Sequence, residues 1–332
     1  MKITKPDYFD RFRCLAGSCP DSCCKEWEVQ VDPHAAAVYR NLPGALGEDL
    51  RRVLRVEDGE VYMTISHGRC PMWRRDGLCR IQAELGEDAL CRTCREFPRL
   101  THDYGDFMEL GLELSCPEAA RLILNQSAVF VTEDVPGIGA AEYDEEAMAV
   151  LRRTRAKALA LLGDASRTVG HTLALLLLYG CQAQGELDGA ESAPFDTDAA
   201  LDTARELAQP GDAAKILSFF QSLEILTEGW KTRLHAPTPS DWDRRTLALA
   251  RYFVHRYWLQ AVSDYDLYSR VKFMVIACLL LRTLGGDFVE TAQLFSKEIE
   301  NDTDNMDALL DAAYEHPAFT DAKLLGMLLK SP

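Results

Sequence analysis

Cysteine is the residue type with the greatest chemical potential in this sequence of 332 residues. Nine of its 11 cysteines lie between Cys14 and Cys116, in two groups and one isolated position. The first group has the spacing C-x4-C-x3-C-C, and the second has C-x8-C-x11-C-x2-C. The nine residues are Cys14, Cys19, Cys23, Cys24, Cys70, Cys79, Cys91, Cys94 and Cys116.

These clustered thiols predict metal binding. Soft thiolates select zinc, copper(I) or iron–sulfur clusters, and four of them complete one zinc site or hold one cluster. Because the first seven residues are polar, we predict no signal peptide and a reducing cytoplasmic location, which favours metal ligation over disulfides. Nine cysteines could supply two four-ligand sites with one left over, or one site plus structural thiols.

The irregular spacing favours an iron–sulfur cluster, with zinc as the alternative. Zinc fingers and ribbons usually have two C-x2-C pairs, whereas only Cys91 and Cys94 have that spacing here. The C-x3-C-x2-C pattern of radical S-adenosylmethionine enzymes is not met, because no cysteine stands three residues after Cys23. His67 and His102 are further possible ligands, although a lone histidine is more often a packed or surface residue.

The elements that must position these cysteines indicate a mixed α+β region. Capping residues, β-branched residues and Asp-Gly turns define them. We predict an irregular segment up to Val31, helices over 33–42, 46–56 and 117–125, a strand over 61–65, and hairpins around 76–77 and 104–106.

After residue 139 the pattern becomes helical. Apolar residues recur at helical spacing over 145–162, 168–183, 198–208, 212–230, 243–261, 266–284, 287–299 and 305–314. We therefore predict an α+β fold: a small cysteine-rich metal-binding domain over 1–135, then an all-α domain over 140–332. Cys181 and Cys278 lie in apolar helical stretches and are predicted to be buried core thiols.

Charge and hydropathy restrict the classes of partner. The net charge is −16, and most of the acidic excess lies after residue 130. This acidic excess argues against nucleic acid as a partner and would attract a basic protein surface. The more ordinary role of such charge is to keep the protein soluble. The longest apolar runs, 173–179 and 275–281, are shorter than the roughly 20 residues that span a membrane. We predict a soluble cytoplasmic protein that binds neither nucleic acid nor a membrane.

Four segments resemble the flagellin lysine-N-methylase (FliB) family. Their motifs cover residues 6 to 122 and are specific in combination. They read PDY…FRC with CPDSCCKEW over 6–27, GLCRIQAELGE over 77–87, LCRTCREFPR over 90–99 and LSCPEAARL over 114–122. The cysteine region of that family is in turn similar to YkgJ-type zinc- or iron-chelating domains.

The resemblance implies a metal-dependent transfer of a methyl group from S-adenosylmethionine to lysine Nε of flagellin or another surface protein. It also implies an iron–sulfur or zinc centre on the nine cysteines, and it carries over no catalytic residue. The sequence lacks the glycine-rich strand-to-helix turn of the usual donor-binding fold, and residues 136–139 read as a linker. The alternative is a non-catalytic zinc- or iron–sulfur-structured binding or redox-sensing protein.

One predicted helix carries candidate residues for binding the methyl donor. These are Arg251, His255, Arg256 and Tyr257, of which Arg251 and His255 are four residues apart and so share a face. A sulfonium or a lysine could lie against the aromatic rings of such a helix. The alternative is an amphipathic helix with an ordinary charged face.

Overall fold

In this computed structural model, the structure describes residues 1–23, 29–66, 68–125, 128–137 and 139–330. The chain is 57% helix and 12% strand, which confirms the predicted α+β class with a helical C-terminal region. Among the described residues the strands are β1 Lys2–Pro6, β2 Val29–Gln30, β3 Leu54–Glu57, β4 Glu60–Met63, β5 Arg99–Asp103, β6 Phe107–Leu112 and β7 Phe130–Asp134.

The larger sheet has four strands in the order β5-β6-β1-β7. The predicted turn around 104–106 is confirmed, because it joins β5 and β6 as an antiparallel hairpin. Strand β1 runs parallel to β6, with Lys2 opposite Phe107, and antiparallel to β7, with Ile3 opposite Glu133. The prediction of an irregular N-terminal segment was wrong here, because the short polar strand β1 depends on partners more than 100 residues away.

The smaller sheet has three strands in the order β2-β4-β3. It packs with the first two helices, α1 Pro33–Asn41 and α2 Gly44–Val53. The Asp32 side chain caps α1 by accepting a hydrogen bond from Ala35 N at 3.0 Å, as the Asp-Pro pair predicts. The second predicted helix ends earlier than expected, because residues 54–57 pair with β4 instead.

Three further helices complete the N-terminal part of the chain. They are α3 Arg80–Leu85, α4 Arg92–Glu96 and α5 Pro117–Leu124. The predicted hairpin around 76–77 is reduced to a single bridge between Trp73 and Cys79, because α3 begins at Arg80. Helix α5 begins directly after Cys116, with proline in its first turn as predicted.

The C-terminal region is helical as predicted, with ten α-helices in the part of the chain that is described. They are α6 Glu145–Gly163, α7 Val169–Leu187, α8 Thr197–Leu207, α9 Ala213–Ser222, α10 Glu228–His235, α11 Arg245–Tyr257, α12 Leu267–Leu284, α13 Phe288–Phe295, α14 Thr303–Glu315 and α15 Asp321–Leu328. Helix α13 continues into a π-helical turn, Ser296–Glu300. None of the described helices is long and apolar enough to cross a membrane.

One predicted helix, over 212–230, is two helices. The break lies at residues 223–227, where Leu226 N donates to Glu298 Oε2 at 2.8 Å and Thr227 caps α10. Both contacts satisfy backbone groups that would otherwise continue the helix. Helix α15 was not predicted from the sequence.

Two hydrophobic cores are formed. The main core joins the larger sheet and α5 to the C-terminal helices, and its members include Tyr8, Leu112, Leu151 and Phe253. The smaller core, here called the thiol core, contains buried residues from the smaller sheet, α1, α2 and the following loops. Its buried members are Val29, Val31, Ala35, Ala36, Tyr39, Leu46, Leu50, Met63, Cys70, Met72, Ile81 and Cys91. The domain boundary near residue 138 stays a prediction.

Candidate functional site

A cavity of about 350 Å³ lies between the larger sheet and helix α11. Its volume is at the lower end of the range for small-molecule sites, and such sites combine apolar walls with a few polar groups. It is lined by Thr4, Pro6, Tyr8, Leu100, His102, Glu109, Leu110, Gly111, Leu112, Ile123, Ala128, Phe130, Leu159, Ala248, Arg251, Tyr252, His255 and Arg256. We call this space the sheet–helix cavity.

Three of the four candidate donor-binding residues line the sheet–helix cavity: Arg251, His255 and Arg256. Arg251 and His255 share one face of α11 because they are four residues apart, and Arg256, the next residue, lines the same cavity. The fourth, Tyr257, lies outside the lining and donates its hydroxyl to Glu300 Oε1 at 2.6 Å. The assignment of these residues to donor binding stays a prediction.

Arg256 belongs to a buried polar network. Its Nη1 donates to Tyr252 Oη at 2.5 Å and lies 3.5 Å from Glu300 Oε1, while Nη2 lies 3.7 Å from Glu113 Oε1. Burial alone would lower the pKa of Arg256, but the tyrosines and carboxylates around it raise that pKa well above its usual value. The guanidinium is therefore charged and its charge is compensated within the protein.

Arg251 is a different kind of cation. Its Nη2 donates to Leu162 O at 2.6 Å, near the end of α6, and no carboxylate of the described residues forms an ion pair with it. Burial lowers its pKa. Since a guanidinium has five N–H donors, Arg251 retains donors for a further partner.

His255 is held as a neutral ring. It stacks on Phe130 with ring centroids 3.6 Å apart and planes 18° apart. Burial lowers its pKa to about 3, with the positive charges of Arg155 and Arg251 as smaller contributions. Arg155 itself is paired with Glu109 through two hydrogen bonds of 2.7 and 2.6 Å.

His102, a possible metal ligand by sequence, also lines the sheet–helix cavity. Its Nδ1 is 3.4 Å from the amide nitrogen of Gln260, and its Nε2 is buried with no hydrogen-bond partner in the described part of the chain. Burial lowers its pKa, so the ring is neutral at pH 7. Because an amide NH₂ can only donate, Nδ1 is the acceptor and Nε2 carries the proton.

Cys14, Cys19 and Cys116 form the first spatial group of thiols. Burial raises the pKa of Cys116 to about 11, and negative charge on Cys19 and Cys14 would raise it further. The Cys19 thiol donates to Asp21 O at 2.7 Å. Cys23 is exposed, and Cys24 lies outside the described residues, as does His67.

Polar side chains of the helical region contact Asp21 and Ser115, which lie close to these thiols in the sequence. Gln293 Nε2 donates to Asp21 Oδ2 at 3.0 Å and to Ser115 O at 2.7 Å, and Lys297 Nζ lies 3.2 Å from Asp21 Oδ2. Asn301 Nδ2 donates to Ser115 Oγ at 3.0 Å. Helix α13, the π-helical turn and Asn301 thus hold the segments beside Cys19 and Cys116 against the helical region.

The second group of thiols lies in the thiol core. Cys70 and Cys91 are buried there, and Cys79 and Cys94 pack against it half-buried. A hydrogen bond with Cys94 lowers the pKa of Cys91. The Cys70 Sγ lies 3.2 Å from Met63 Sδ.

Thiolate donors of this kind select a thiophilic ion such as zinc, copper(I) or the iron of a cluster. Their arrangement is not that of a closed site: among residues 1–23, 29–66, 68–125, 128–137 and 139–330, no three or more His, Cys, Asp or Glu side chains are grouped to hold a metal ion. Metal ligation therefore stays a prediction.

The two cysteines outside the cluster behave differently. Cys278 is buried in α12 as predicted, and its burial raises its pKa. Cys181 is exposed, so the prediction of a core thiol was wrong for it. Helix α7 presents its other faces to α6, α8 and α12 and leaves residue 181 at the surface.

Comparison with curated proteins identifies a related group. The chain is 34% identical over 132 residues to the flagellar biosynthetic protein FliU of Salmonella muenchen, a match that covers 38% of this chain and 78% of that protein. This chain belongs to the FliU family.

Two proteins named lysine-N-methylase also match this FliU-family chain. The protein from Salmonella typhimurium strain LT2 is 34% identical and that from Salmonella choleraesuis is 33% identical, each over 132 residues. The matched segment spans 33% of the length of each of these two lysine-N-methylases. No protein-family model matches the chain, and no solved structure matches it significantly.

Sequence reasoning missed several residues of the site in this FliU-family chain. Phe130, Glu109 and Arg155 come from three separate elements, and Glu300 and Glu113 meet Arg256 only in the folded chain. A periodic apolar pattern identifies elements but not which elements face each other. The one signal available was the charge of Arg256 beside the aromatic residues Tyr257 and Trp258, since a buried charge must have a partner.

Proposed function

We propose that this chain is a protein lysine N-methyltransferase that takes its methyl group from S-adenosylmethionine and modifies exposed lysines of flagellin or another surface protein. One observation carries the proposal: the chain matches FliU over 78% of that protein and also matches two proteins named lysine-N-methylase. Flagellar relatives make flagellin the first substrate to test. The acidic surface is complementary to a lysine-rich partner.

The reaction places requirements on the site. It joins the methyl carbon to an uncharged lysine nitrogen, breaks the bond from that carbon to sulfur, and leaves the bonding electron pair on a neutral thioether; the nitrogen then loses a proton to the medium. The site must exclude water and orient both reactants. The sheet–helix cavity supports the proposal because its walls are mostly apolar and it is large enough for a small molecule.

We also propose that the nine cysteines hold a metal centre, an iron–sulfur cluster with zinc as the alternative. The first site would use Cys14, Cys19 and Cys116 with a thiol from 23–24, and the second would use Cys70, Cys79, Cys91 and Cys94. A bound zinc ion would tie these loops together, and an iron–sulfur cluster would do so while adding a redox centre. This grouping is supported by the proximity of Cys19 and Cys14 to Cys116 and by the shared thiol core.

The test uses protein purified without oxygen, flagellin and S-adenosylmethionine labelled in its methyl group. We expect label on flagellin and a mass increase located by peptide sequencing on lysine Nε. Flagellin whose lysines have been acetylated is the matched control and should remain unlabelled. Unlabelled flagellin, together with no labelled protein in a whole-cell lysate, would reject the proposal.

A second candidate function is a non-catalytic binding or redox-sensing protein with a zinc or iron–sulfur structural centre. It is favoured by the position of Cys70 and Cys91, which are buried in the thiol core and away from the sheet–helix cavity. Metal analysis with visible absorption separates the two candidates. Stoichiometric zinc in a colourless protein that binds a stable partner without methylating it would support this second function.

A further inference from the structure

The sheet–helix cavity has an uneven supply of hydrogen-bond donors and acceptors. Its one carboxylate, on Glu109, is already engaged by Arg155 through two hydrogen bonds. Arg256, one of its two cations, is engaged by Tyr252, Glu300 and Glu113. Among the described lining residues, the charged groups that remain for a ligand are therefore positive.

Arg251 supplies that positive charge. Its only hydrogen bond among the described residues goes to the carbonyl of Leu162, and no described carboxylate pairs with it. Because Arg251 is only partly buried and has no ion-pair partner among the described residues, its charge and remaining N–H donors are accessible to an anionic group of a ligand. Its planar set of donors matches a carboxylate, which it can bind through two parallel hydrogen bonds.

His102 supplies a second donor. Its buried Nε2 has no partner in the described chain, and the contact from Gln260 to Nδ1 places the ring proton on Nε2. His255 also lines the cavity, and its stacking on Phe130 fixes the plane of its ring. The cavity therefore contains an unpaired cation, Arg251, and an unpaired neutral donor, His102 Nε2–H, among mostly apolar walls.

We infer that the sheet–helix cavity is the binding site of the methyl donor, and that Arg251 binds the carboxylate of its amino-acid portion while His102 Nε2–H donates to a second polar atom of the same ligand. This inference rests on the proposed function, which names the donor but assigns no site to it. Arg251 and His102 are positioning residues here, since neither is required to touch the transferred methyl group.

The inference predicts different binding affinities for ligands that differ in one chemical group. S-adenosylmethionine and S-adenosylhomocysteine both carry the carboxylate, whereas decarboxylated S-adenosylmethionine lacks only that group. Because a hydrogen bond to a charged group is stronger than a neutral one, removal of the carboxylate should weaken binding by about 10- to 100-fold. S-adenosylhomocysteine should bind as a carboxylate ligand.

The experiment is isothermal titration of these three ligands into the full chain purified without oxygen. The first variant is Arg251→Met, which removes the charge and keeps the length of the side chain. We expect it to weaken binding of the two carboxylate ligands by about 10- to 100-fold and to leave binding of the decarboxylated ligand nearly unchanged. The diagnostic result is that the variant no longer binds the carboxylate ligands more tightly than the decarboxylated ligand. Weaker binding of all three ligands alone is not diagnostic.

Arg244→Met is the matched control. Arg244 also donates to a backbone carbonyl beyond α6, Ala165 O at 3.3 Å, but it is exposed and lies outside the cavity lining. Its replacement should change none of the three affinities. If Arg251→Met fails to fold, the wild-type protein alone decides: equal affinity for S-adenosylmethionine and its decarboxylated form overturns the inference.

The outcomes separate this inference from the proposed function. Donor binding that is insensitive to Arg251→Met, with flagellin still labelled, would place the donor elsewhere and leave the methyltransferase proposal intact. No donor binding and no labelled flagellin with the wild-type protein would reject both. Selective loss of carboxylate recognition in the Arg251 variant would support the site.

Discussion

The main core and the thiol core stabilise their parts of the chain by different means. The main core is large and is built from buried aromatic and aliphatic residues, such as Phe253, Phe273 and Phe295, that contact one another edge to face or tilted. The thiol core has only twelve buried residues, and two of them are cysteines. Small apolar cores contribute little net stability, so such regions usually depend on a metal or disulfides. The comparison therefore predicts that the thiol core depends more on a bound metal than the main core does.

Removal of metal should have the largest effect, and it should act on the thiol core. Structural zinc in small domains contributes on the order of 10 kcal/mol of apparent folding free energy, so we expect a chelator to unfold residues 29–94 and leave helices α6 to α15 folded. Hydrogen exchange read by mass spectrometry would resolve the two regions. Cys181→Ser is the control, because that exposed thiol should not alter metal content. Unchanged exchange over 29–94 after complete metal removal would contradict the comparison.

Truncation of a large buried side chain should have the second-largest effect on stability. Phe253 is fully buried in the main core, and Phe253→Ala should lower the free energy of unfolding of the helical region by about 3–5 kcal/mol. Leu50 is fully buried in the thiol core, and Leu50→Ala should instead increase exchange over residues 29–94. Chemical denaturation followed by hydrogen exchange measures both. If both variants loosened the same segments, the two cores would be one cooperative unit.

Overpacking tests how tightly helices α7 and α12 meet in the main core. A Cβ atom on Gly180 would lie 2.5 Å from Val271 Cγ1, so Gly180→Ala should lower the free energy of unfolding by about 1–3 kcal/mol. Gly185 lies on the same helix, and a Cβ there would lie 3.9 Å from Ala190 Cβ. Gly185→Ala should therefore be neutral or stabilising by up to about 1 kcal/mol, because alanine favours helix. Thermal melts of the two variants measure the difference. Equal shifts in Tm for Gly180→Ala and Gly185→Ala would contradict the close contact between Gly180 and Val271.

Titration of His255 should have the smallest effect. Its pKa of about 3 in the folded chain lies below the usual unfolded value of about 6.5, so the unfolded state binds the proton first and stability falls as the pH falls through this window. Arg155 and Arg251 face the ring, and both charges oppose its protonation. We expect a loss of about 1 kcal/mol between pH 7 and 5.5.

The pH effect is measured as a difference between variants. His255→Asn should reduce the slope of unfolding free energy against pH in this window, whereas His235→Asn, at an exposed position, should leave the slope unchanged. An identical slope in the wild-type protein and His255→Asn would mean that burial does not hold the ring neutral.

Much of the fold could be predicted from sequence where structure is local. The Asp32 cap, the turn at 104–106 and the long helices α6, α7 and α12 all follow from capping residues, turn residues and helical periodicity. Strand β1 and the break between α9 and α10 could not be predicted. Both depend on hydrogen-bond partners distant in sequence, on β6 and β7 for the strand and on Glu298 for the break.

The candidate site also has features that the sequence predicts and features that depend on contacts between distant segments. Residue types and spacing alone identified the nine-cysteine cluster, the resemblance to the lysine-N-methylases and three residues of the sheet–helix cavity, because each is a property of a contiguous segment. The tertiary structure alone decided that Arg256 is paired while Arg251 is not, that His102 joins the cavity, and that Cys70 and Cys91 are buried in one core. Pairing and burial depend on which distant segments meet, and that is a property of the folded chain.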